Sequence, residues 1–109
     1  MRSLFALAGL LLLATGCGAS QRSLIAAAVR SERPAARVSQ IRIAHSDPRY
    51  ATARAGSAFV FLDRSDRWRV VEIGADVQYP SCVQTPRAVV RELFGGWCFG
   101  ARGALTRLQ

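Results

Sequence analysis

Two cysteines in the last third of the chain, Cys82 and Cys98, place the strongest constraint on what it can fold into. The chain has 109 residues, enough for one domain and not for two. A domain of this size buries only about 60 to 65% of the surface that its unfolded chain exposes, so a covalent staple carries unusual weight. A bond between Cys82 and Cys98 closes a loop of 17 residues, for which chain entropy gives a stabilisation of about 3 kcal/mol. Such a bond needs an oxidising compartment.

The N-terminus supplies the route to one. Arg2 precedes an apolar run from Leu4 to Leu13, and small residues follow from Ala14 to Ser20. The run is too short to cross a bilayer and reads as a secretory signal over residues 1–16. Its end, Ala14-Thr15-Gly16-Cys17, resembles a relaxed bacterial lipobox with Ala14 where Leu is usual. Ordinary cleavage is also open, because Ala14 with Gly16, and Cys17 with Ala19, satisfy a small-x-small site. Three cysteines are an odd count for an exported protein, and a thioether lipid on Cys17 leaves Cys82 and Cys98 as an even pair. The expectation is therefore an exported protein, anchored by lipid on Cys17 or else secreted or periplasmic. Residues 17–22 form a short tether and 23–109 a single domain.

Charge narrows the partner class. The chain carries fifteen Arg, no Lys and seven acids, a net charge of +8. Without residues 1–16, fourteen Arg against seven acids leave +7. Guanidinium groups grip phosphates at two points, but these are scattered along the chain rather than clustered on one element, and a GC-rich coding sequence yields the same composition without any ligand. Nucleic acid is not the expected partner. An anionic membrane surface or envelope polymer is, since a short tether would hold the domain close to the headgroups.

Periodicity outlines an α+β domain. Ser20 to Arg30 has Leu24, Ile25, Ala28 and Val29 at helical spacing, with Ser20 or Ser23 placed to cap it and Pro34 to stop it. Val38 to Ala44 alternates as a half-buried strand, and His45-Ser46-Asp47-Pro48 turns the chain. Tyr50 to Arg54 is a second strand with a small-residue face. Gly56 either turns the chain or forms a bulge within one bent strand. Ala58 to Leu62 is apolar on both faces and so belongs at the sheet centre. Asp63 to Asp66 and then Arg67 to Ile73 complete the clearest hairpin, and Val77 to Tyr79 offers a short edge segment that Pro80 stops. Thr85 and Pro86 read as N-cap and first turn of a helix along Val89, Val90, Leu93 and Phe94, ended by Gly95 and Gly96. The fold class expected is α+β: an N-terminal helix, a curved antiparallel sheet of three to four strands with its helices on one face, and a C-terminal helix with a disulfide, in a cystatin-like or NTF2-like topology.

The signal, Asp47-Pro48-Arg49-Tyr50-Ala51, the stretch Arg67-Trp68-Arg69-Val70-Val71-Glu72-Ile73-Gly74, and Cys82, Pro86, Leu93 and Cys98 together resemble a group of small exported proteins of high-GC bacteria. That group carries no assigned activity. The resemblance spans most of the domain, implies the same fold and disulfide, and supplies no catalytic residue.

Chemistry finds few footholds. His45, the one histidine, lies beside Ser46 and Asp47, but sequence neighbours in a turn point different ways and no nucleophile elbow is present. A zinc site from His45, Cys82 and Cys98 matches no ligand spacing. Asp63 with Asp66, and Glu72 with Asp76, are carboxylate pairs at turns beside arginine. Gly95, Gly96, Gly100 and Gly103 lack the strand and helix order of a phosphate loop. The expected protein is thus a non-enzymatic envelope or secreted module, binding or structural, with no catalytic residue, metal or cofactor; the alternative is a small hydrolase using His45 with a carboxylate. Trp68, Trp97, Arg67 and Arg69 are the candidate binding surface, because tryptophan beside arginine makes contact hot spots when exposed.

Overall fold

The structure, a computed structural model, describes residues 21–109. The proposed signal and Cys17 lie outside the described residues. A helix occupies residues 21–32 (α1), so Gln21 and Arg22, expected in the tether, are already helical and Ser23 lies inside the helix rather than capping it. Four strands follow: β1 (Val38–Ile43), β2 (Tyr50–Ala55), β3 (Ala58–Arg64) and β4 (Trp68–Gly74). They form an antiparallel meander in the order β1-β2-β3-β4. After it come α2 (Arg87–Phe94) and a two-stranded ribbon, β5 (Trp97–Phe99) and β6 (Leu105–Arg107).

The α+β class, the four-stranded antiparallel sheet, the C-terminal helix and the disulfide are as the sequence implies. The helices, however, lie on opposite faces of the sheet rather than on one. Ile25 and Val29 of α1 pack with Ala51, Ala53, Ala55, Val60 and Leu62 on one face. Val89, Leu93 and Phe94 of α2 pack with Phe59 and Phe61 on the other. The cause is β3, which is apolar at successive positions and therefore demands cover on both sides. The α2 face is aromatic: the Phe94 ring meets Phe61 edge-on at 5.1 Å between centroids, and Tyr50 stacks on Phe61 at 6.1 Å.

Both outer strands solve a patterning problem with a bulge. In β1, Ser39 pairs with Arg54 and Arg42 with Thr52, so β1 advances three residues while β2 advances two. The extra residue lets Val38, Ile41 and Ile43 all reach the α1 core, which strict alternation forbids. In β4 the register shift opposite Phe61 and Leu62 likewise returns Ile73 to the side of Trp68 and Val70. Bulged outer strands also resist pairing with other chains.

Turn chemistry explains the remaining differences. Gly56, at φ +60, opens a two-residue turn between Ala55 and Ala58, so it is a hairpin corner and not a bulge. Residues 77–79 form no strand. Pro86 precedes α2 in an extended conformation without a side-chain cap. The amides of Val83 and Gln84 in the preceding loop donate instead to the Ser81 hydroxyl, and Thr85, expected as the cap, is buried. Gly95 ends α2 in the left-handed conformation.

Gln40, at the β1 bulge, is the one residue other than glycine with positive φ, +52, among those described. That conformation strains a side chain with a Cβ. Gln40→Gly is expected to leave stability unchanged or raise it by up to about 1 kcal/mol, and Gln40→Val to lower it by about 1 to 2 kcal/mol. Urea unfolding midpoints measure both, and a Gly variant weaker than the parent would contradict the strain.

Candidate functional site

The C-terminal ribbon presents three exposed large apolar side chains side by side. In β5 and β6, Trp97 pairs with Arg107, Cys98 with Thr106 and Phe99 with Leu105. Alternation puts Trp97, Phe99, Leu105 and Arg107 on one face and Cys98 on the other. Cys98 is fully buried, whereas Trp97, Phe99 and Leu105 keep 38%, 42% and 45% of their surface in solvent. Trp97 and Phe99 therefore do not cover the disulfide. The Arg107 guanidinium lies 5.9 Å from the centre of the Trp97 ring, within cation–π range, and Tyr79 meets Phe99 edge-on at 6.5 Å.

A disulfide and two backbone hydrogen bonds tie this ribbon to the 80–86 loop, and a third backbone bond closes its open end. The Cys82–Cys98 disulfide spans 5.0 Å between Cα atoms. The Cys82 amide donates to the Phe99 carbonyl, and the Phe99 amide donates to the Pro80 carbonyl, both at 2.8 Å. The Leu108 amide donates to the Gly96 carbonyl at the same distance. A two-stranded ribbon is marginal by itself, and the bond to the 80–86 loop gives it a fixed support.

The other three residues named with Trp97 lie elsewhere, along a groove of 620 Å³ between α1 and β4. Trp68 is buried in the core rather than exposed, and its indole N–H donates to the Gln21 side-chain oxygen at 2.8 Å. Arg69 is paired with Asp63 at 2.7 Å. Arg67 is exposed on the groove's rim. The candidate surface read from the sequence thus separates into an internal Trp68 with two flanking arginines and an outward Trp97.

His45 lies at an exposed turn, as its surroundings in the sequence imply, with its side chain wholly in solvent. Glu92 of α2 reaches that turn. Its carboxylate accepts the backbone N–H groups of His45 at 2.7 Å and Ser46 at 2.9 Å, and the Ser46 hydroxyl at 2.9 Å. These donors, the His45 amide foremost, hold the Glu92 carboxyl down to about 2. His45 Nδ1 is 3.4 Å from the same carboxylate, yet the Ser46 hydroxyl donates to Glu92 instead of to the imidazole. Glu92 fastens α2 to the β1–β2 turn. The sequence does not reveal this role, because a lone Glu on a helix carries no sign of a partner 47 residues away.

The carboxylate pairs behave as surface charges. Asp47 grips Arg49 at 2.7 Å and its carboxyl is lowered by that hydrogen bond. Asp66 accepts the Ser65 hydroxyl, and Asp63 belongs to Arg69. Among the described residues no three His, Cys, Asp or Glu side chains converge as metal ligands; Cys82 and Cys98 bind each other. No described helix is long and apolar enough to cross a membrane. Comparison with protein-family models, with curated proteins and with solved structures finds no match to this chain.

Glu92, whose carboxyl is lowered from an ordinary 4.5 to about 2, contributes stability that is complete above pH 4.5 and is lost as pH falls toward 2. Glu92→Gln is expected to lower the melting temperature at pH 7 and to flatten the loss between pH 5 and 2. Equal acid slopes for variant and parent would contradict the fastening.

Proposed function

We propose that the chain is a non-catalytic, exported module of the cell envelope, held at a membrane through lipid on Cys17 and making its contacts through the ribbon. One observation carries the reading: a disulfide-supported ribbon that turns Trp97, Phe99 and Leu105 to solvent, where a folded domain of this size has few such side chains to spare. The disulfide is compatible with an oxidising compartment. The signal-like residues 1–16 and Cys17 agree with that route.

The charge points the same way. Over residues 17–109, fourteen Arg against seven acids favour anionic headgroups or an anionic envelope polymer, by about 1 kcal/mol for each arginine close to the surface. The alternative hydrolase draws on the 3.4 Å approach of His45 to Glu92. Its base would lack a nucleophile, because the neighbouring hydroxyl is already committed.

Expression in a bacterial host tests the anchoring. The parent protein is expected to need detergent for release from membranes and to show a mass with acyl chains on Cys17. Cys17→Ala is expected to come away with buffer or high salt. A Cys17→Ala protein that still needs detergent, or a parent without acyl mass, would contradict the anchor.

A further inference from the structure

The exposed apolar side chains are not spread evenly. Five of the seven large ones among the described residues, Val77, Val83, Trp97, Phe99 and Leu105, lie within residues 77–109. The same third of the chain carries Arg87, Arg91, Arg102 and Arg107 against a single acid, Glu92. That acid is spent on the β1–β2 turn. The last third of the chain is thus rich in exposed apolar and cationic side chains at once, and within it the ribbon sets Arg107 against Trp97 on the face opposite the buried Cys98.

We infer that this ribbon is a second membrane contact, in which Trp97, Phe99 and Leu105 enter the headgroup region of an anionic bilayer while Arg102 and Arg107 meet lipid phosphates. The inference rests on the envelope reading above and adds the site and the chemistry of its ligand. Tryptophan favours the membrane–water boundary because its ring is apolar and its N–H polar. Arg102 sits in the β5–β6 loop, where the Gly103 amide donates to the Gly100 carbonyl and Gly103 takes φ +79. That compact loop joins the two strands of the apolar face and leaves Arg102 exposed.

Two other occupants fit less well. A sugar polymer needs an open aromatic platform, and Arg107 already covers one side of Trp97. A second copy of this chain needs about 800 Å² on each partner for a stable dimer, more than three side chains that are each over half buried can provide, and it would bring like charges together.

The test uses the exported protein with Cys17→Ser, so that no acyl chain contributes. It is titrated with phosphatidylglycerol-containing vesicles and with pure phosphatidylcholine vesicles, followed by co-sedimentation and tryptophan emission. Binding is expected only to the anionic vesicles, with a blue shift that Trp97→Phe removes and Trp68 does not supply. Trp97→Ala and, separately, Leu105→Ser on the outer strand should each weaken partition about tenfold with unchanged melting temperature. Arg102→Gln with Arg107→Gln should weaken it and reduce its salt dependence.

No binding to anionic vesicles, or binding that none of these variants affects, would overturn the inference. So would a dimer that Trp97→Ala dissociates, or retention on envelope polymer that matches retention on vesicles. If the protein is exported but ignores vesicles, the lipid contact falls and the envelope reading stands. If it is never exported, the envelope reading falls whatever the vesicles show.

Discussion

The bond between Cys82 and Cys98 ties together two segments that secondary structure alone would leave loosely connected. On one side is the 80–86 loop, which has no regular structure long enough to hold its place. On the other is β5, a strand of three residues. The backbone bonds between Cys82 and Phe99 and between Phe99 and Pro80 lie directly beside the bridge, so the crosslink shortens the search that those bonds require. With Cys98 wholly buried, the bridge also serves as core for a region that has little else to bury. The aromatic face above it stays exposed because the sulfur beneath, rather than the rings, closes the structure.

The body of the molecule is organised by β3. Its alternate residues, Val60 and Leu62 against Phe59 and Phe61, feed two separate cores, and each core recruits one helix. The α1 side is lined by the small Ala51, Ala53 and Ala55, which leave room for Ile25 and Val29. The α2 side is filled by rings, and Glu92 anchors its helix to the β1–β2 turn. These features divide the sheet's two faces between different kinds of packing, one built mainly of small and branched aliphatic side chains with Trp68 at its margin, the other of rings meeting largely edge-to-face.

Much of this was legible in the residues themselves. The meander, its turns and both helices follow from periodicity and from Pro34, Gly56, Gly95 and Gly96. Their relative placement does not, because a helix stripe announces that it must be covered without saying by which face of the sheet. Bulges escape notice for a related reason: Val38-x-x-Ile41 and Val70-x-x-Ile73 break alternation, and only pairing with β2 and β3 shows which residue is extra. At the candidate site Trp97 stands out in the sequence, whereas Phe99 and Leu105 do not. The alternation Trp97-Cys98-Phe99, the glycines at 100 and 103, and Leu105-Thr106-Arg107 together spell a hairpin that three-residue strands make easy to overlook. Adjacency sets Trp68 among the surface arginines, while its indole faces inward to Gln21.

The ribbon and the thin core depend on the crosslink. Urea unfolding of the oxidised protein beside Cys82→Ser with Cys98→Ser measures its contribution most directly. A loss of about 3 kcal/mol in unfolding free energy is predicted from the length of the loop it closes. A double variant as stable as the oxidised parent, within about 0.5 kcal/mol, would contradict the claim that this bond holds the ribbon and the thin core in place.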